Sequence, residues 1–125
     1  MMAGKLILIV EDNERNRKLV RDVLQFTGYE TIEAETGEEG LRLARERHPA
    51  LILMDIRLPG IDGITAFRRL RADPTTQSIP VMAMTASIMT AGQRAMMEAG
   101  FDAYQSKPIQ VKGFVAAVQG LLEKD

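Results

Sequence analysis

The chain of 125 residues is long enough for one domain with its own buried core, and 46% hydrophobic with 26% charged residues is the balance of an ordinary soluble globular protein. With no cysteine it can hold neither a disulfide framework nor a thiolate metal site, and 16 basic against 17 acidic side chains leave a formal charge of −1, no footprint for nucleic acid. No apolar stretch approaches bilayer-spanning length and the start, MMAGKLILIV, is too short for a signal peptide, so a soluble cytoplasmic protein without membrane or nucleic-acid partners is expected.

Short apolar runs alternate with stretches of helical spacing. KLILIV (5–10) is apolar without alternation and predicts a central strand. Leu19, Val20, Val23 and Leu24 follow as one helical stripe, with Gly28 where a C-terminal cap belongs. YETIEA (29–34) alternates more and predicts an edge strand. Residues 38–47 carry Leu41 and Ala44 inward, and Pro49 stops that helix. LILMD (51–55) predicts a strand buried on both faces. Residues 63–72 place Ile64, Phe67 and Leu70 on one helical face, which the DPTT stretch ends. PVMAMT (80–85) is the fourth strand, and residues 90–99 form a fourth helix closed by Gly100. DAYQS (102–106) is the fifth strand, and Phe114, Val115, Val118, Leu121 and Leu122 mark a last core-facing helix. No linker or repeat divides residues 1–125, so a single domain is expected.

Five strands alternating with five helices predict an α/β fold. The natural candidate is a flavodoxin-like, doubly wound parallel sheet of order 2-1-3-4-5, with right-handed crossovers and helices on both faces. Polar residues then fall at the C-terminal strand ends: Glu11-Asp12, Asp55, Thr85 and Ser106-Lys107. In an open parallel sheet these ends share one edge, where ligands bind. The first and third strands are neighbours there, so Glu11, Asp12 and Asp55 should converge. Three carboxylates repel unless compensated. Lys107 is one nearby cation, and a hard divalent ion such as Mg²⁺ would supply the rest. An acidic cluster with a lysine and a threonine hydroxyl suits metal-assisted phosphoryl chemistry, with Asp55 able to act as nucleophile.

These same residues resemble the receiver domain of bacterial two-component response regulators, along essentially the whole chain. The elements come in order: Glu11-Asp12, Asp55, the LPGIDG loop, Thr85-Ala86 and Lys107-Pro108. EDN, LILMDI and SKPI more closely resemble stand-alone DivK-type regulators and receivers fused to hybrid kinases. The resemblance implies that Asp55 accepts a phosphoryl group from a phosphohistidine on a sensor histidine kinase or histidine phosphotransfer protein. It implies Mg²⁺ (or Mn²⁺) held by Asp12, Asp55 and the Arg57 backbone carbonyl, with Glu11 acting through a water. Lys107 and Thr85 would contact the phosphoryl group, and Tyr104 would follow Thr85 as an aromatic switch. Arg57, Ala86 and Ser87 would flank the group, and the Lys107-Pro108 peptide would be cis. Such a protein assists its own phosphorylation and dephosphorylation, and contacts its target through the fourth helix, fifth strand and fifth helix. Where the family often has Asp in the first acidic position, this chain has Glu11. No output domain follows GLLEKD, so a stand-alone regulator or a receiver excised from a longer protein is expected.

Singly, these residues have plainer readings. Asp55 would be a turn residue, Thr85 a strand-end hydroxyl, Arg57 and Lys107 surface cations. Met82, Met84, Met89, Met96 and Met97 read as adaptable core filling or as a partner surface. His48, before Pro49, reads as a solvated loop residue. Among competing functions, a flavodoxin-type cofactor binder lacks its phosphate loop, because EDNERN puts acid there. A dehalogenase-type phosphatase lacks its paired aspartates after the first strand. A phosphorylation-independent protein–protein scaffold on the same fold remains the alternative.

Overall fold

The computed structural model describes residues 5–85, 100–107 and 109–123. Five parallel strands, β1 (Leu6–Val10), β2 (Glu30–Ala34), β3 (Leu51–Asp55), β4 (Val81–Thr85) and β5 (Ala103–Ser106), form one sheet in the order β2-β1-β3-β4-β5. Between them lie α1 (Glu14–Thr27), α2 (Gly37–Arg47) and α3 (Gly63–Ala72), and the closing helix α4 spans Val111–Leu122. The helix expected over residues 90–99 lies outside the described residues. No helix is long and apolar enough to cross a membrane among the described residues.

The uninterrupted apolar runs follow from burial on two faces. Successive side chains of a strand point to opposite sides of the sheet. Leu8, Val10, Ile52 and Met54 therefore pack with Leu41, Ala44, Phe67 and Leu70 from α2 and α3. Ile7, Ile9, Leu51 and Leu53 pack on the other side with Val20, Leu24, Phe114 and Val118 from α1 and α4. Met82 and Met84 belong to this second core, as adaptable filling. Met89, Met96 and Met97 lie outside the described residues.

Side-chain caps set where the first three helices begin. Asn13, Thr36 and Asp62 accept amide hydrogens in the first turns of α1, α2 and α3. Gly28 closes α1 at φ 109°, a left-handed conformation that glycine adopts without steric cost. Tyr29 does not open the edge strand as the alternation suggests. Its amide joins that cap by donating to the Leu24 carbonyl, and its ring is buried. His48 is exposed but also left-handed, at φ 48°, where it ends α2 before Pro49. Leu19 departs from the predicted stripe: only Val20 and Leu24 face the sheet squarely, and Leu19 is left 43% exposed.

At the sheet's opposite end, the Asp102 carboxylate accepts the Val81 amide at 2.8 Å and Arg71 at 2.7 Å. Arg71 also lies over the Phe67 ring, which stacks on Phe101. This lock joins α3 to the starts of β4 and β5.

Candidate functional site

Glu11 follows β1, Asp55 ends β3, Thr85 ends β4 and Lys107 follows β5, so strand order alone brings them to one edge. Thr85 stands opposite Ser106, and the Lys107 amide donates to the Thr85 carbonyl at 2.7 Å. At the next strand boundary the Ile56 amide donates to the Met84 carbonyl at 3.1 Å. The strands thus remain paired up to the point where the polar side chains begin.

Glu11 and Asp55 are each only 4% exposed, and Lys107 reaches both. Its Nζ lies 2.5 Å from Glu11 Oε1 and 3.0 Å from Asp55 Oδ2. The Asn13 amide donates to the other Glu11 oxygen, and the Arg57 amide donates to Asp55 Oδ1 at 3.2 Å. Burial is the main cause that pushes the Glu11 carboxyl above the usual range, aided by Asp55 and opposed by Lys107. Burial pulls Lys107 down, but its hydrogen bonds to Glu11 and Asp55 outweigh that and leave it raised. The lysine is a charged brace between two strands.

Asp12 is exposed at the lip, and carboxylate oxygens of Glu11, Asp12 and Asp55 lie within 4.8 Å of one another. Three carboxylates against one lysine leave net negative charge, and all three donors are hard oxygens. That donor set suits a hard divalent cation and offers nothing to a soft one.

The Arg57 side chain is exposed on the loop after β3, beside an open cleft lined by Asp12, Arg57, Pro59 and Asp62. Thr85 is half-buried, and Tyr104 on β5 is 46% exposed. Ala86, Ser87 and Pro108, and with it the expected cis peptide, lie outside the described residues.

Two further residues, which the sequence did not mark as site residues, shape the site. Gly63 opens α3 so close to β3 that a Cβ there would clash with the Asp55 carbonyl oxygen. Its amide donates to the Ile56 carbonyl at 2.9 Å, so the loop that carries Arg57 is folded tightly back on β3. Gly63→Ala should therefore destabilise the protein by about 1–3 kcal/mol, the range for overpacking, measured by urea unfolding. Arg17 donates to the carbonyl oxygens of Glu11 and Asp12. In the sequence it belongs to the charged run ERNRK, which gives no sign of its partners.

Comparison with known proteins agrees with this geometry. The family model for the response regulator receiver domain matches residues 7–119. The polar-differentiation response regulator DivK of Brucella ovis is 46% identical over 118 residues, 94% of this chain and 96% of that protein. The receiver domain of the sensor histidine kinase PA1611 from Pseudomonas aeruginosa, solved with a magnesium ion coordinated in its active-site cleft, is 31% identical. It superposes with a TM-score of 0.90 over 98% of this chain and 100% of that one. The signal receiver domain of a histidine kinase from Syntrophus aciditrophicus is 30% identical with a TM-score of 0.87, over 95% and 90% of the two chains. Because the family match runs from within β1 to within α4, the chain belongs to the response regulator receiver domain family of two-component signalling.

Proposed function

We propose that Asp55 is a phosphoacceptor that takes its phosphoryl group from a phosphohistidine on a sensor histidine kinase or histidine phosphotransfer protein. The observation that carries this reading is the buried Asp55 carboxylate at the sheet edge, held by Lys107 on one oxygen and the Arg57 amide on the other. An Asp55 oxygen attacks phosphorus and forms the new O–P bond while the N–P bond to the donor imidazole breaks. The electron pair of that bond returns to the imidazole nitrogen, which takes up a proton. Lys107 and the Thr85 hydroxyl stabilise charge on the transferred oxygens, and Arg57, Ala86 and Ser87 flank them.

Mg²⁺ or Mn²⁺ fits the cluster of Glu11, Asp12 and Asp55; Asp12, Asp55 and the Arg57 backbone carbonyl would hold it directly, and Glu11 would act through a water. When bound, the ion supplies positive charge against the phosphoryl oxygens. Phosphorylation then biases a two-state equilibrium in which Thr85 and Tyr104 move. A downstream protein is contacted through the 90–99 segment, β5 and α4, where Tyr104 is already part-exposed. Residues 1–125 act as one receiver domain in the cytoplasm. Likeness to the Brucella ovis regulator and to kinase-borne receivers supports either a stand-alone or a kinase-fused setting.

The test is incubation with Mg²⁺ and acetyl phosphate, followed by intact-mass measurement. One phosphoryl adduct is expected, labile to hydroxylamine and absent from Asp55→Asn. A wild-type protein that takes up no phosphoryl group from several such donors would favour the phosphorylation-independent scaffold instead.

A further inference from the structure

We propose that Arg17 is a positioning residue that holds the Glu11-Asp12 backbone in place for cation binding, and that Glu33 on the edge strand anchors it. The inference rests on the proposed metal-assisted function. Glu11 and Asp12 lie in the short connection between β1 and α1, so their carboxylates are placed only as well as that backbone is held. From the β2 side, the Glu11 amide donates to the Ala34 carbonyl at 3.0 Å. From the helix side, Arg17 Nη1 donates to the Glu11 carbonyl at 3.1 Å and to the Asp12 carbonyl at 3.4 Å. The same guanidinium fixes its other edge by donating through Nε to Glu33 Oε1 at 3.0 Å. The Arg17 side chain is 14% exposed, so its bonds to Glu33 and to the Glu11 carbonyl are partly shielded from water, while the longer one to Asp12 is open to it. The planar fork of an arginine suits the task, since one group must serve a carboxylate and two carbonyls in fixed directions.

Arg21 supplies an internal control. It pairs with the same Glu33, at 3.0 Å, and stands one turn further along α1. Its contacts run to Glu33 and Asp22, and none of them is to the Glu11-Asp12 backbone. Charge and position also predict opposite signs. A guanidinium near an acidic cluster repels a divalent cation, so a purely electrostatic role means that removing it tightens binding. Loss of positioning means that removing it weakens binding.

The experiment titrates each variant with Mn²⁺ and counts the free ion by its EPR signal, alongside thermal unfolding. Arg17→Ala should bind Mn²⁺ about tenfold more weakly than the wild type, within the range for residues that orient metal ligands. Arg17→Lys keeps the charge but loses the fork, and should be weakened in the same direction. Arg21→Ala should bind as the wild type does. Arg17 variants that bind Mn²⁺ as tightly as wild type or tighter would overturn the inference, as would equal weakening in Arg21→Ala. Should the alanine variant fail to fold, Arg17→Lys decides by the same criterion. A wild-type protein that binds no Mn²⁺ would instead remove the proposed function, and this inference with it.

Discussion

Lys107→Met should both destabilise the protein near neutral pH and nearly abolish phosphorylation of Asp55. The lysine is the charge that lets Glu11 and Asp55 lie buried side by side, and methionine leaves the two carboxylates facing each other. Removing one partner of a fully buried ion pair costs about 3–5 kcal/mol. Here the lip of the sheet is open to water and Glu11 is already disposed to take up a proton, so a loss of about 2 kcal/mol is expected. Urea unfolding at neutral and at mildly acid pH would measure it. The deficit should shrink at the lower pH, where a protonated Glu11 no longer repels its neighbour. In an acetyl phosphate time course the variant should be slower by about 100- to 1,000-fold, the usual consequence of losing one preorganised donor to developing oxyanion charge. Wild-type stability at both pH values would show that the lysine does not offset the carboxylates.

The parts of this arrangement that were legible in the sequence are those that backbone periodicity governs. KLILIV and LILMD announce central strands because both faces of each are buried, and the sheet order follows from the alternation of strands with helices. Once that order is fixed, Glu11, Asp55 and Lys107 must arrive at one edge, and they do. Side chains whose partners lie in another layer leave no such trace. Arg17 meets Glu33 across 16 positions, from α1 to β2, and in the sequence both belong to an ordinary run of surface charge. Arg71 meets Asp102 from 31 positions away, and the DAYQS run shows only where a strand begins. Gly63 is visible as a loop glycine, but its close approach to the Asp55 carbonyl depends on how the LPGIDG loop folds back on β3. Leu19 satisfies the helical spacing and still points partly to water, because a stripe of four residues is wider than the contact α1 makes with the sheet.

In the absence of divalent cations, stability should fall as pH rises through the mildly acid range, and Mg²⁺ should restore it. Glu11 holds its proton to a higher pH in the folded protein than in the unfolded chain, mainly because it is buried and secondarily because Asp55 is close. Between the two values the folded state binds more protons than the unfolded one, so stability decreases with rising pH. The stabilising contribution is complete below the ordinary carboxylate value and is lost as pH passes the raised one. Lys107 is also raised, so its contribution persists through neutrality and is lost only in the alkaline range. The two slopes are therefore separated, and the mildly acid one belongs to Glu11. Thermal unfolding from about pH 5 to 7 in a chelator would record it. Asp55→Asn removes a repelling neighbour while leaving Lys107 to Glu11 alone, so it should be more stable than the wild type without metal and show a shallower slope. Mg²⁺ at ten times its dissociation constant should stabilise the wild type by about 1.4 kcal/mol. The gain in Asp55→Asn should be smaller, since one of the three carboxylates is gone. An Asp55→Asn variant less stable than the wild type under chelation would mean that the site stores no carboxylate repulsion. If the site does store it, the repulsion that weakens the fold under chelation also favours a divalent cation beside Glu11, Asp12 and Asp55.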